Sequence, residues 1–310
     1  MASNFSIVLT GQAAFGESVL NTLIAQGEFI AGVFCQPDQT GRPADPIKTA
    51  AQEHGIPVFQ FKRMRDAEAI NTFRELKADL GVMAFVTDIV PMEILEAPTQ
   101  GTIQYHPSLL PKHRGPSSIN WPIIQGETKT GLSIFWPDDG LDTGPILMQK
   151  EVAIGPDDTL GSIYFNNLFA MGVDALVESV SLVKNGNAPR IEQDHTLMTY
   201  EGWCKPKDAI IDWSESVGTV YNLVRGADPS PGAGTTFQGD PIQFYNASIQ
   251  ENDPSEKPGT ITSATEEGMD IACNGGTITV RRVKPSGSKK ISAQDWAKEN
   301  NVQIGHHFGE

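Results

Sequence analysis

The sequence predicts an α/β protein: a doubly wound, mostly parallel sheet over residues 1–204, then a smaller C-terminal β-rich, barrel-like domain over 205–310. Three observations predict it. Strand-like and helical patterns alternate as far as residue 185, as expected of a sheet covered on both faces. The run "DLGVMAFV" (79–86) is almost wholly apolar, which suits a central strand buried on both sides. Beyond residue 205 the texture changes to short, closely spaced strand-like runs, the pattern of a small barrel or sheet.

The elements follow in order. "FSIVLTGQAAFGESVLNTLIAQG" (5–27) reads strand, glycine turn, helix and glycine stop, after a polar cap at the start of the chain. "FIAGVFCQP" is a second strand and "DPIKTAAQEHG" a short helix, with Pro46 in its first turn and Gly55 at its end. "IPVFQF" is a strand, "DAEAINTFRELKA" a helix, and "DLGVMAFV" and "GTIQYH" are the next two strands. "PSSINWPIIQGE" reads as a helix interrupted by Pro122; "KTGLSIFWP" and "GPILMQKEVAI" are strands, the second at an edge. "DTLGSIYFNNLFAMGVDALVESVSLVKNG" is a long helix opened by Asp158 and closed near Gly186. The polar, proline-bearing stretch 187–210 reads as a linker. "SVGTVYNLVRGADP" is then a helix, and "PIQFYNASI", "GTITSAT", "GMDIACN" and "GTITVRRV" are strands.

Composition narrows the function classes. No uninterrupted apolar run approaches the roughly 18 residues of a membrane helix, and the start lacks a basic leader, so a cytoplasmic protein without a membrane partner is expected. Cys35, Cys204 and Cys273 are few and far apart, which suits buried free thiols rather than a disulfide framework. The net charge is −15, from 38 acidic and 23 basic residues, and argues against a nucleic-acid partner. The basic residues that cluster are Arg281, Arg282 and the stretch "KPSGSKK".

Two constellations carry chemistry. His106 ends a strand, at the sheet edge where open α/β sheets place ligands. Pro107 holds it in extended backbone and Pro111 limits the turn that follows. "WPDDGLDTGPI" (136–146) places Asp138, Asp139 and Asp142 in a glycine-flanked loop after another strand. The first two suit turn chemistry, whereas Asp142, between Leu141 and Thr143, reads as tucked in. A carboxylate beside an imidazole is a general acid/base device suited to attack on a carbonyl. Other patterns are weaker. "GQAAFG" has Ala13 where a dinucleotide fingerprint needs glycine. A zinc site from His106 and His113 lacks a third ligand, so no metal is expected, and His113 is assigned a structural or surface role. Ser108 has no nucleophile-elbow motif around it.

Taken together, "YHPSLLPKHRG", "SIFWPDDGLDTG" and "VFCQPDQTGRPADP" resemble the 10-formyltetrahydrofolate-dependent formyltransferase family. Within it they most resemble the N-terminal hydrolase domain of 10-formyltetrahydrofolate dehydrogenase. The resemblance runs from residue 5 to about 300 and weakens after 205. It implies a formyltransferase fold and a folate substrate, with 10-formyltetrahydrofolate entering and tetrahydrofolate leaving. It implies that His106 is catalytic, that Asp142 positions it and moves a proton, and that Asp88, Ile89 and Val90 line the pterin pocket, much of it through backbone groups. Gln104 stands where ordinary formyltransferases carry asparagine, which shifts the expectation toward hydrolysis to tetrahydrofolate and formate. Transfer to a small amine is the alternative, transfer to methionyl-tRNA is less favoured, and a non-catalytic folate-binding module is the alternative of another class. The loop after the second strand is short, with Arg42 and Lys48 as its basic residues, which also argues against tRNA. The full-length dehydrogenase adds a carrier domain and an aldehyde dehydrogenase domain. If the chain is cut out of such a fusion those domains are its partners, and no nicotinamide cofactor is expected in these 310 residues.

Overall fold

Seven strands form the first sheet in the order β3-β2-β1-β4-β5-β6-β7. They are β1 (Ser6–Gly11), β2 (Phe29–Cys35), β3 (Val58–Gln60), β4 (Leu80–Ala84), β5 (Thr102–His106), β6 (Lys129–Phe135) and β7 (Ile146–Ala153). The computed structural model describes residues 5–310, so the polar cap expected before the first strand lies outside them. β1 pairs in parallel with β2 on one side and with β4 on the other. The chain thus winds first one way from β1 and then the other, and leaves a crevice at the carboxyl ends of β1 and β4. β4 and β5 are parallel, whereas β6 runs antiparallel to β5, pairing Tyr105 with Ile134 and His106 with Ser133.

The helices follow from their patterns and caps. α1 (Ala13–Ala25) buries Phe15, Val19, Leu20 and Leu23, residues at helical spacing. α2 (Pro46–Glu53) begins at Asp45, whose side chain accepts from the Ile47 amide. α3 (Ala67–Glu75) buries Ala69 and Phe73, and α4 (Met92–Leu95) is a single turn. α5 (Asn120–Ile124) holds Pro122 near its start, so the interruption expected there is a short helix of five residues.

The long helix is opened by Thr159 rather than Asp158. The Thr159 side chain accepts from the Ser162 amide and the Ser162 side chain accepts in return. α6 (Leu160–Ile163) runs through a π-helical turn at Tyr164–Leu168 into α7 (Phe169–Lys184). By length and composition alone, Leu160–Lys184 could cross a membrane. Its later part packs instead against α1 and β5, and Gly172 has no room for a Cβ, which would lie 2.6 Å from the Tyr105 ring.

The chain divides into two compact units. The first comprises residues 1–114, 131–151 and 167–200; the second comprises 115–130, 152–166 and 201–310. The second unit therefore draws in two excursions from before residue 204. Asn120 fastens one by donating to the carbonyls of Gly226 and Ser230. Arg225 fastens the other by donating to the carbonyls of Gly155 and Asp158.

Within this unit lie α8 (Val217–Gly226), a sheet and α9 (Ala293–Glu299). The sheet has the order β10-β11-β12-β9-β8, built from β8 (Ala233–Phe237), β9 (Asp240–Glu251), β10 (Ile261–Thr265), β11 (Gly268–Cys273) and β12 (Gly276–Pro285). A short β13 (Ile291–Ser292) pairs with β12. The last residues bridge the two outer strands: Phe308 pairs with Phe237 and His307 with Thr260. This closure makes the unit barrel-like and buries Phe308 completely between the rings of Trp213, Phe237, Phe244 and Trp296.

Candidate active site

β5 positions the first two candidate residues. Gln104 and His106 are two apart on one strand and therefore share a face, while Tyr105 points the other way and meets the Phe15 ring. The Gln104 side chain is half-buried and makes no hydrogen bond among the described residues. His106 is buried, 6% exposed. Its Nε2 lies 2.8 Å from the carbonyl oxygen of His113. A carbonyl can only accept, so Nε2 carries the proton and donates. The free edge of the ring is then Nδ1, which faces Asp142 Oδ2 at 3.6 Å.

The turn after β5 exists to make that carbonyl available. The Ser108 amide donates to the His106 carbonyl, and Ser108 Oγ donates to the Lys112 carbonyl, which folds residues 106–112 tightly. Ser133 on β6 donates to the Ser108 carbonyl and accepts from the Leu110 amide. Ser108 is thus a structural group. His113 takes a left-handed φ of 53° and is 3% exposed, so it is not a surface residue. Its amide donates to Thr199 Oγ1.

Asp142 comes from the turn between β6 and β7. It too has a left-handed φ, 54°, a conformation that costs a non-glycine residue about 1–3 kcal/mol. The turn is braced by Asp138, whose carboxylate accepts from the Gly140 amide and from Thr143 Oγ1. That is the turn chemistry expected of it. Asp142 itself is 7% exposed, as its flanking residues predicted.

The stretch read as a linker is strapped to this site. Ile191 bridges Ile146 on β7, and Arg190 stacks over Trp136 with its guanidinium 3.9 Å from the ring centre. Trp136 Nε1 donates to the Pro189 carbonyl. Gln193 is buried, and its Nε2 donates to the carbonyls of Asp142 at 3.0 Å and Gly144 at 2.7 Å. Its Oε1 accepts from Arg114. Sequence reasoning missed Gln193 and Arg114. A lone glutamine in a polar run carries no local signal of burial; the arginine directly after His113 was the one available hint.

A cleft opens at the crevice between β1 and β4. It is lined by Thr10, Gln12, Cys35, Met64, Phe85 and Asp88. The Asp88 carboxylate is engaged within its own loop region, accepting from the Met64 and Ile89 amides. Ile89 is 76% exposed, whereas Val90 packs against Phe34, Phe73 and their neighbours. At the start of α1, Asp45 accepts from the Ala13 amide at 2.9 and 3.1 Å. Gly11 is required because a Cβ would lie 2.6 Å from the Ala84 carbonyl oxygen. Gly11 of "GQAAFG" therefore serves close strand packing, Gly16 lets α1 lie close to Ile47 and Gly11, and the amide at the start of α1 is occupied by the protein's own carboxylate.

Among the described residues no three His, Cys, Asp or Glu side chains cluster as a metal site. Cys35 is a free thiol on the cleft wall, pushed up to about 11 mainly by burial and next by the nearby Asp45. Burial raises Cys204 to about 11 and Cys273 to about 12. At pH 8 about a thousandth of the Cys35 sulfur is thiolate, so labelling by iodoacetamide should be slow in the folded protein and fast after unfolding. Mass spectrometry of a timed reaction checks this; rapid stoichiometric modification of Cys35 in the folded state would contradict it.

Comparison with known proteins identifies the family that has this fold. Residues 4–180 match the formyl transferase family model and residues 204–301 match the formyl transferase C-terminal domain. The chain belongs to the formyl transferase family. It is 40% identical over 318 aligned residues to mitochondrial 10-formyltetrahydrofolate dehydrogenase of Homo sapiens, covering 97% of this chain and 34% of that protein. It spans about a third of the length of that relative. It is also 36% identical to the methionyl-tRNA formyltransferase of Geobacter metallireducens, covering 98% of this chain and all of that protein. Among solved structures, HypX of Aquifex aeolicus in complex with tetrahydrofolic acid shares the fold, with a TM-score of 0.71, 18% identity, and coverage of 97% of this chain and 48% of that one.

Proposed function

We propose that this chain hydrolyses 10-formyltetrahydrofolate to tetrahydrofolate and formate. The observation that carries the reading is the buried His106–Asp142 pair, with Nδ1 and Oδ2 at 3.6 Å and Nε2 tied to a backbone carbonyl. Folate as substrate is supported by the family and by the dehydrogenase relatives.

Water attacks the formyl carbon, and the Asp142 carboxylate takes one of its protons. The carbonyl π-bond opens, and the oxygen gains negative charge that His106 stabilises by donating from Nδ1 in its imidazolium form, Nε2 keeping its own proton. The tetrahedral intermediate then reforms the C=O bond and breaks the bond from carbon to the N10 nitrogen of the folate. That nitrogen takes from Asp142 the proton the carboxylate had accepted, and the remaining water proton leaves to solvent as the formic acid ionises, giving tetrahydrofolate and formate. Gln104, on the same face of β5 as His106, bonds the formyl oxygen or the attacking water. Asp88, Ile89 and Val90 line the pterin end, with the Asp88 carboxylate shaping the loop and backbone groups meeting the ring.

A second reading, formyl transfer to an amine, is favoured by the full-length match to a methionyl-tRNA formyltransferase. Both readings are tested by following tetrahydrofolate release from 10-formyltetrahydrofolate with and without added amines. Release without an amine supports hydrolysis; release only with one supports transfer; binding with no release in any condition sinks both. Gln104→Leu is expected to slow release about 10- to 100-fold with little change in KM, since an amide acting on the reacting oxygen matters most in the transition state. Wild-type kcat in that variant would remove Gln104 from the site.

A further inference from the structure

We propose that Gln193 is a positioning residue that sets the Asp142 carboxylate against His106. The proposal rests on the reading of Asp142 as the working carboxylate.

The amide of Gln193 is fully used. Its nitrogen donates to Asp142 O and Gly144 O, and its oxygen accepts from Arg114 Nε at 3.2 Å and from a terminal Arg114 nitrogen at 2.7 Å. The orientation is fixed by chemistry: carbonyls only accept and a guanidinium only donates, so a flipped amide would leave all four contacts mismatched. The side chain is 5% exposed and Arg114 is 4% exposed, so water cannot replace these bonds.

The two ends of this amide serve the two halves of the site. On one side, the carbonyls it holds flank Thr143, and one belongs to Asp142 itself, whose left-handed φ needs support. On the other, Arg114 directly follows His113, whose carbonyl fixes the His106 ring. The Arg114 guanidinium has a second partner in His195 Nδ1 at 3.1 Å, and the Arg114 amide donates to the Thr199 carbonyl. One buried glutamine therefore ties the backbone that presents the carboxylate to the segment whose carbonyl holds the imidazole. Asp142 and Gln193 are 51 residues apart, and Arg114 and Gln193 are 79 apart.

Two near-isosteric variants test this. Gln193→Glu keeps the acceptor for Arg114 and removes the donors to the Asp142 turn; Gln193→Met removes both. Each is expected to lower kcat for tetrahydrofolate release about 30-fold, within the 10- to 100-fold typical of groups that orient a catalytic group. The dissociation constant for 5-formyltetrahydrofolate, used as an unreactive probe, should stay within about two-fold, because Gln193 does not line the cleft assigned to the pterin. The ring 15N signals of His106, assigned by their loss in His106→Ala, should move in both variants in the direction seen in Asp142→Asn.

The proposal is overturned if the His106 signals stay at their wild-type positions, or if Asp142→Asn itself leaves them unmoved. Wild-type kcat in both variants also overturns it. So does a parallel fall in kcat, probe affinity and melting temperature, which would mark a general structural role. If Asp142→Asn retains wild-type turnover, the reading of the active site fails on its own, and the ring signals still decide whether Gln193 positions the carboxylate.

Discussion

His106→Ala and Asp142→Ala should each reduce tetrahydrofolate release by about a thousand-fold or more, because each removes a group acting on the reacting atoms. The losses should not add. If the imidazole and carboxylate act as one unit, the double variant should be about as slow as either single one. His106→Ala also frees the His113 carbonyl, which is then exposed to the cavity left by the ring. Asp142→Asn is the cleaner variant for the second residue, since it keeps the shape of the side chain. Single-turnover assays with 10-formyltetrahydrofolate, read beside binding of 5-formyltetrahydrofolate, separate lost chemistry from lost binding. Retention of release by both His106→Ala and Asp142→Ala would show that the chemistry lies elsewhere.

Gly144→Ala is expected to have the second large effect, and it touches no reacting group. A Cβ there would lie 1.8 Å from the Trp136 carbonyl oxygen and 3.0 Å from its carbon. Both are backbone atoms, and the Trp136 amide is itself held by the Pro145 carbonyl, so neither strand end can step aside alone. The turn must move as a whole, and Asp142 moves with it. We expect a loss of about 2 kcal/mol in stability, typical of forced overpacking. A fall in kcat of at least about 100-fold should accompany it, since misplacement of about 1 Å is costly in rate. Denaturant unfolding and the same kinetic assay check the two parts. A variant with normal stability and normal kcat would mean that the turn accommodates a methyl group.

Much of the first sheet was legible because its signals are local. Apolar runs such as Leu80–Ala84 and glycine stops such as Gly27 and Gly55 are read within a few residues of themselves. His106 and Asp142 were legible for the same reason: each sits in a short loop with strong proline or glycine punctuation. What stayed hidden depends on contacts between distant residues. The antiparallel direction of β6 is set by the chain's return beside β5, and its sequence is compatible with either direction. β8, "AGTTF", has too few bulky side chains to stand out, and takes its place by pairing with β9. The segment 187–210 reads as a linker because it is polar, yet Gln193 within it is buried and hydrogen-bonded to residues far away in the chain. The capping of the long helix shows the limit at small scale. Asp158 and Thr159 are both good caps by type, and the reciprocal bond with Ser162 decides between them.

The hydrogen bond from His106 Nε2 to a backbone carbonyl has a consequence for how protons travel. An imidazole can serve as a conduit, taking a proton at one nitrogen and releasing it from the other. Here the far nitrogen ends against an oxygen that holds no proton to exchange and opens onto no solvent. The ring is a dead end. Whatever proton enters at Nδ1 must leave by the same door, toward Asp142 or toward the substrate, so traffic through the site is confined to one side of the histidine.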